Sequence, residues 1–288
     1  MGASNTKLFF LAIHCLALLG PFYFKWSAFW LAVGLYFVTG VGITLSFHRN
    51  LAHHSFKLPR WLEYSFAYRA VLSLQMVKKN PLIILAFDSI VGDALKGFWY
   101  SHFGWIVDYH SRFGTPDARE FKNVGDLKKQ WYYRFLHYTY PCHSVALGIL
   151  LYAGGRLPFL VWGMGVRTVF FLRITFSINS ICHIWGKASM EYWLLGLLAH
   201  GEGWHNNHHA FEYSARQGLE WWEIDTTWYI ISFLEAIGLA TDVKLPTEAH
   251  KRRKAFCKNS NIELFYLIRK SSKSIGVVYA AMYKKCNE

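Results

Sequence analysis

Apolar residues are concentrated in four runs, and the first two lie close together near the start of the chain. They extend from Leu8 to Phe24 and from Ser27 to Phe47, separated only by Lys25 and Trp26. Each run approaches the ~20 residues that a helix needs to cross a bilayer. Because the turn between them is too short for anything but antiparallel helices, this part of the chain predicts a helical hairpin.

A second pair of apolar runs lies further along the chain. These runs extend from Pro141 to Ala153 and from Leu157 to about Asn179, and residues 154–156 form a tight Gly-Gly-Arg turn between them. The pair predicts a second hairpin. Two arginines, Arg167 and Arg173, fall inside the fourth run, where a charge is costly unless it faces protein or water.

Basic side chains favour one side of these hairpins. Residues 49–80 carry six lysines and arginines, whereas the tight turns carry Lys25 and Arg156 alone. By the positive-inside rule the longer segments lie in the cytosol. We predict an all-α membrane protein with four transmembrane helices in two hairpins, a cytosolic histidine-rich helical domain and both termini in the cytosol. Residues 1–288 then form one domain, with hairpins at 8–47 and 141–180 and cytosolic parts at 48–140 and 181–288.

Composition agrees with a membrane protein. Of the 288 residues, 53% are hydrophobic and 18% aromatic, which is high for a soluble domain. The formal net charge is +13, but no compact basic patch interleaved with base-stacking aromatics lies outside the apolar runs, so we expect no nucleic-acid partner. Anionic membrane lipid explains the charge better. The five cysteines are scattered without a CxxC pair, so they predict neither a disulfide framework nor a zinc site.

Histidine is concentrated at the predicted cytosolic ends of the apolar runs. Three groups stand out among the 14 histidines: His48 and His53 in "HRNLAHH", His183 in "INSICHIWG", and His205, His208 and His209 in "HNNHH". Groups that are distant in sequence are thereby predicted to meet at one membrane face. Neutral imidazole suits iron, zinc and copper, and a set without paired thiolates argues against a structural zinc knuckle. An iron that activates oxygen fits these ligand types.

The spacing within each group sets the expected geometry. Offsets of three and four residues place His205, His208 and His209 on one side of a helix. The five-residue offset from His48 to His53 would place the rings about 140° apart on an ideal α-helix. Either the helix frays there, or the two histidines serve different metal ions.

Longer motifs carry a family resemblance. "HRNLAH", "GFWYSHFGWIVD", "NSICHIWGK", "GEGWHNNHHAFEYSARQGLEWWEIDTTWYII" and "AIGLATDVKLP" resemble the plant acyl-lipid and acyl-CoA Δ9 desaturases, relatives of the animal stearoyl-CoA desaturases, and the match extends over nearly all of residues 8–250. The resemblance implies a multi-pass endoplasmic-reticulum enzyme that holds two Fe2+ ions. It would insert a cis double bond into the chain of an acyl-CoA or acyl-lipid, using oxygen and electrons from cytochrome b5.

The resemblance also implies a set of metal ligands, and it assigns no further catalytic residue. Seven residues match the family's iron ligands: His48, His53, His183, His205, His208, His209 and, acting through water, Asn179. His54 stands where the family usually has arginine, so no ligand role is transferred to it.

One part of the family pattern is missing. The family has a middle histidine box, of the form H-x-x-H-H, where this chain has no histidine from Met76 to Trp99. His102 and His110 follow, but their spacing does not reproduce the box. The sequence therefore predicts a desaturase that binds fewer than two iron ions with impaired turnover. The alternatives are a catalytically inactive membrane paralogue with a lipid-binding or partner role and, more distantly, a hydroxylase on the same scaffold.

Overall fold

The computed structural model describes residues 3–74, 127, 129–178 and 193–252, with backbone alone for residues 3–7 and Asn206. Within these ranges the chain is mostly helical and has no strand, so the helical fold class is confirmed. The elements, in chain order, are α1 (Ala3–Leu18), α2 (Trp26–Val41), a first π-helix (Gly42–Ala52), α3 (Arg60–Val71), α4 (Trp131–Leu160), a second π-helix (Val161–Val166), α5 (Arg167–Ser177), α6 (Trp193–Leu198), a 3₁₀ turn (Glu202–Trp204), α7 (His205–Ala210) and α8 (Thr226–Ala236).

The chain packs into two units. The first is Met1–Val243 and contains every helix named above, and the second is Lys244–Glu288. In the described part of the second unit, Lys251 pairs with Glu248 one helical turn away.

Within the described ranges, two helical stretches are long and apolar enough to cross a membrane, judged by length and composition. The first, Trp26–Ala52, joins α2 to the first π-helix without a break, and it includes the run predicted from Ser27 to Phe47. In the π-helix each N–H bonds to the carbonyl five residues earlier. The N–H of His53 continues this pattern by donating to the carbonyl of His48 at 3.1 Å. The helix therefore carries the first histidine group on its final turns.

The second stretch, Trp131–Ser177, contains a reversal of the chain. Gly155 and Arg156 have non-helical backbone angles, with Arg156 at φ 57° and ψ −149°. On either side of this turn, Leu151 lies against Gly163 and Met164 lies against Gly148. The helix before the turn begins at Trp131, ten residues before the predicted start at Pro141, so residues 131–140 extend the helix instead of leading up to it.

The remaining long helices pack around the second π-helix and α5. Phe10 of α1 lies against Leu172 and Phe176, and small residues allow close approach where Gly165 meets Leu16 and Ala17. α2 follows the same segment, with Phe29 near Trp162 and Tyr36 near Phe170 and Phe171. These contacts form a bundle of apolar helices.

Arg167, one of the two charges in the fourth apolar run, is satisfied by protein acceptors. Its guanidinium donates to the carbonyl of Gly163 at 2.7 Å, to Oγ1 of Thr39 at 3.1 Å and to the carbonyl of Leu72 at 3.1 Å. The other charge, Arg173, is exposed. The cost of a buried charge is thereby met within the bundle.

Two apolar clusters fix the first π-helix, which carries the histidines. One cluster joins Phe47 and Leu51 to Ala67 on α3 and Leu136 on α4. The other joins Leu45 on the opposite side to Phe56 and to residues of α8 such as Ile231. Because both sides of the π-helix are packed, its histidine face has a fixed direction.

Candidate metal centre

The first histidine group lies at the end of the first π-helix. The ring centroids of His48 and His53 are 4.8 Å apart. On an α-helix this five-residue offset would separate the rings, but a backbone bonded from i to i+5 brings residues five apart onto nearly the same face. The helix does not fray at this point, and the two rings approach a common position.

The last histidine group lies on α7, immediately after the 3₁₀ turn. The centroid of His205 is 4.4 Å from that of His209 and 5.4 Å from that of His208, while His208 and His209 are 5.7 Å apart. All three rings therefore lie on one side of the helix, as the offsets of three and four residues predicted.

The two groups meet at His208. Its ring centroid is 4.6 Å from that of His48 and 4.5 Å from that of His53. One ring nitrogen from each of these three histidines lies within 4.8 Å of the other two, and Nε2 of His48 is 3.3 Å from Nε2 of His208. Five histidines from two distant segments thus form one series of ring contacts.

The chemistry of this donor set fits a transition metal. Ring nitrogens at this range repel one another through their lone pairs unless a proton or a cation lies between them. Imidazole is a suitable ligand for iron, copper and zinc, and no thiolate takes part among the described residues. The side chains of His205 and His208 are buried, so the donors are sheltered from bulk water.

The other predicted residues fall into two groups. His183 and Asn179 lie outside the described residues, as do His102, His110 and the stretch from Met76 to Trp99. His54 is exposed, with a backbone φ of 49°, and it takes no part in the ring series, which agrees with leaving it out of the ligand set.

Beneath the histidines lies a buried charge cluster that sequence reasoning missed. Arg49 is fully buried, and its guanidinium donates to Oδ2 of Asp225 at 2.9 Å and to Oε1 of Glu202 at 3.3 Å. It also donates to the carbonyl of Ala215 at 2.8 Å. One cation therefore faces two carboxyl groups, and the formal charge of the cluster next to the histidine rings is negative when both are ionised.

Glu202 connects this cluster to the histidines. Its Oε2 lies 3.4 Å from Nδ1 of His48 and accepts a hydrogen bond from Nε2 of Gln217 at 3.2 Å. Burial raises the pKa of Glu202, while the guanidinium of Arg49 acts in the opposite direction. The carboxyl group therefore has contacts to both a candidate ligand and the buried cation.

Asp225 and one further carboxylate, that of Glu223, hold the loop that follows α7. Asp225 accepts from the backbone N–H of Gln217 at 2.8 Å and caps α8 by accepting from the N–H of Trp228 at 2.9 Å. Glu223 accepts from Nδ2 of Asn207 at 2.9 Å and from the N–H of Leu219 at 2.6 Å. The loop is thereby tied to the histidine helix on one side and to α8 on the other.

Comparison with known proteins gives the family. No family model matches the chain. A palmitoyl-monogalactosyldiacylglycerol delta-7 desaturase of Arabidopsis thaliana, described as chloroplastic, is 53% identical over 85% of this chain and 70% of its own length. Delta-9 acyl-lipid desaturase 2 of the same plant is 48% identical over 85% and 84%. An acyl-CoA 5-desaturase of Anemone leveillei is 49% identical over 85% and 80%.

A histidine-rich candidate metal centre at the end of an apolar helix bundle is typical of a membrane-associated metal enzyme. The relatives identify the kind of enzyme, because about half of the residues are identical over most of the chain. The chain belongs to the plant acyl-lipid and acyl-CoA desaturase family of oxidoreductases. The family implies an iron cofactor, and His48, His53 and His208 form a group that can hold it.

Proposed function

We propose that this chain is a Δ9-type fatty acid desaturase that introduces a cis double bond into an acyl chain. Oxygen and electrons from cytochrome b5 would be consumed at the iron centre. The observation that carries the proposal is the convergence of His48, His53 and His208, with ring nitrogens within 4.8 Å, in a chain about half identical to named desaturases.

Each part of the site has a task in this reaction. Bound iron would supply the redox chemistry that activates oxygen towards an unreactive C–H bond. The histidines supply uncharged nitrogen donors, and the burial of His205 and His208 shelters their side of the site from water. The negative net charge of the buried cluster favours a cation at the rings.

The proposed ligand set is larger than the described group. It comprises His48, His53, His183, His205, His208, His209 and, through water, Asn179. Because no histidine lies between Met76 and Trp99, we propose that fewer than the family's two iron ions are held, with weaker loading and impaired turnover.

The proposed setting is the endoplasmic-reticulum membrane. A single domain of residues 1–288 would cross it four times, with hairpins at 8–47 and 141–180, the histidine-rich parts at 48–140 and 181–288 in the cytosol, and both termini there. The two long apolar helices and the basic segment after the first of them support this topology. Because two relatives are named as chloroplastic, a fluorescent fusion tests the location directly.

The substrate is proposed as a fatty acyl chain on coenzyme A or on a membrane glycerolipid. The relatives are named for positions 7, 9 and 5 and for both kinds of carrier. Position 9 is supported by the resemblance and by relatives named for it at 47–48% identity. Fatty acids of the expressing cells would be analysed by mass spectrometry after derivatisation of the double bond, and a product unsaturated at position 7 or 5 would contradict the Δ9 assignment.

Expression in a desaturase-deficient yeast tests activity. We expect unsaturated product below that of delta-9 acyl-lipid desaturase 2 expressed in parallel. His48→Ala and His208→Ala should lower that product by more than about tenfold, because each removes a ligand from the converging group. The matched control is His54→Asn, which changes an exposed histidine in the same motif, tolerates its backbone φ of 49° and should leave the product unchanged. Equal loss in all three variants would contradict the assigned site.

Grafting the missing middle histidine box into the chain tests whether its absence impairs iron binding and turnover. Replacing residues 76–96 with the corresponding segment of delta-9 acyl-lipid desaturase 2, which restores the family's middle box, should raise both the iron content and the product. Full complementation by the unmodified chain would contradict the impairment. A grafted chain that binds iron but forms no product would favour an inactive paralogue with a lipid-binding or partner role.

A further inference from the structure

We propose that Glu202 is a positioning residue for the metal centre: its carboxylate accepts the Nδ1–H of His48 and so holds Nε2 of that ring towards the metal. This inference rests on the proposed function. It concerns a residue three positions before the last histidine box, outside the predicted ligand set.

The geometry around His48 defines the tautomer. On one side of the ring, Nδ1 lies 3.4 Å from Oε2 of Glu202. On the other side, Nε2 lies 3.3 Å from Nε2 of His208 and 3.4 Å from Nε2 of Gln217, whose amide N–H groups can only donate. With the proton on Nδ1, the lone pair of Nε2 faces the other ring nitrogens. A carboxylate behind a ligating imidazole fixes the ring in this way and raises its basicity.

The carboxylate of Glu202 is itself held from two sides. Oε1 accepts from Nε and Nη2 of Arg49, both at 3.3 Å, while Oε2 accepts from Gln217 at 3.2 Å. The side chains of Arg49, Glu202 and Gln217 are all buried. Because Arg49 follows His48 directly on the π-helix, one element presents both the imidazole and the cation to the same carboxylate.

The need to neutralise Arg49 does not by itself explain why Glu202 is buried beside it. Asp225 already faces the guanidinium at 2.9 Å, a shorter contact than that of Glu202. Among the described residues Asp225 makes no hydrogen bond or ion pair with a histidine, whereas Glu202 lies against His48. Glu202 and Asp225 thus share one buried cation, but only Glu202 contacts a candidate metal ligand. Asp225 therefore provides the matched control.

The test measures metal binding by the purified full-length chain in detergent, with Co2+ as the probe. Cobalt absorbs in the visible range according to its ligand field, which reports geometry independently of turnover. We expect Glu202→Gln to weaken the Co2+ affinity roughly 10- to 100-fold and to change the absorption spectrum, as loss of a carboxylate behind a ligating histidine does. Asp225→Asn removes the same charge beside Arg49, so any general electrostatic loss of affinity appears in this variant too, but it should keep the absorption spectrum of the parent chain and lose less affinity than Glu202→Gln.

The outcomes separate positioning from structure. If Asp225→Asn weakens Co2+ binding as much as Glu202→Gln, or if Glu202→Gln binds Co2+ like the parent, the inference is overturned. If Glu202→Gln does not fold, Gln217→Met replaces it, because this variant removes a hydrogen bond to Glu202 without touching Arg49. A smaller loss of affinity in the same direction then supports the inference, and binding equal to the parent overturns it.

The proposed desaturase function can fail independently of the positioning role of Glu202. A parent chain that binds Co2+, shows the expected difference between the variants and yields no unsaturated fatty acid in yeast contradicts desaturation and supports the role of Glu202. A parent chain that binds no Co2+ overturns the metal centre and the positioning role together.

Discussion

His200 lies close in sequence to the histidines of the candidate metal centre, but its surroundings are apolar. Its ring is buried against Tyr36 and Phe37, with centroid distances of 5.3 and 5.1 Å, and neither ring nitrogen has a hydrogen-bond partner among the described residues. Burial, together with the nearby Arg49 guanidinium, lowers the pKa of His200 to about 4. The ring is therefore neutral at pH 7, and protonating it in the folded state is unfavourable.

This environment predicts a loss of stability in acid that depends on His200. Below its ordinary pKa of 6.5, the unfolded chain binds a proton that the folded chain rejects until about pH 4, so stability falls as the pH falls through that window. At pH 5 the cost is roughly 2 kcal/mol. Thermal unfolding of the metal-free chain at pH 7.5 and pH 5 should show a smaller acid effect for His200→Asn.

Asparagine is the suitable replacement because His200 has a backbone φ of 56°, a conformation that asparagine tolerates. The histidines of the metal centre also titrate in this range, but they are present in both chains, so the difference between the chains reports His200. Equal acid sensitivity of the parent and the variant would show that this ring is not kept neutral by burial.

At the scale of elements, the first π-helix depends on close packing against α3. A Cβ added at Gly42, its first residue, would lie 2.5 Å from the backbone nitrogen of Ala70 and 2.9 Å from the carbonyl carbon of Arg69. These are backbone atoms, which cannot move aside as a side chain can. The glycine therefore allows α3 to contact the helix six residues before His48.

Gly42→Ala is accordingly expected to lower stability by about 1–3 kcal/mol, as overpacking does. Gly34→Ala on the same apolar helix is the control, because nothing lies within 4 Å of an added Cβ there; alanine should be neutral or stabilising by up to about 1 kcal/mol. Thermal unfolding in detergent compares the two variants. A larger loss at Gly34 than at Gly42 would refute the packing argument.

The sequence contained enough information for the apolar helices and for the shared face of His205, His208 and His209. Both follow from local spacing. It did not reveal the π-helix, because moving a hydrogen bond from i−4 to i−5 leaves no mark in the pattern of apolar and polar residues. As a result, the two histidines were expected at one metal region, but the α-helical spacing wrongly placed their rings about 140° apart.

The buried charge cluster was missed for a different reason. In sequence, charged residues are expected to be solvated, and burial depends on segments that meet only in the folded chain. Arg49 is 153 positions from Glu202 and 176 from Asp225. A charged residue directly beside a histidine box is the one local signal that could have drawn attention to Arg49.

At the scale of the whole first unit, the two tight turns lie at one end of the bundle and the metal centre lies at the other. The indole of Trp162 donates to the carbonyl of Gly20 at 3.2 Å, and its ring lies 5.4 Å from that of Phe24, so both turn regions share an end. From Trp26 to His48 the helix rises roughly 30 Å, about the thickness of a bilayer core. Exposed tryptophans such as Trp26 and Trp61 lie at the two ends, as in aromatic belts.

This arrangement predicts opposite accessibility for the turns and the histidine loop. In a cysteine-free background, single cysteines at Lys25, Arg156 and Glu212, all exposed positions, would be treated with a membrane-impermeant maleimide in sealed yeast microsomes. We expect Glu212→Cys to be labelled in intact vesicles, because it lies next to the histidines that the proposed topology places in the cytosol. Lys25→Cys and Arg156→Cys should react only after detergent opens the membrane. Labelling of either turn in intact vesicles, with a lumenal marker still protected, would contradict the proposed four-span topology.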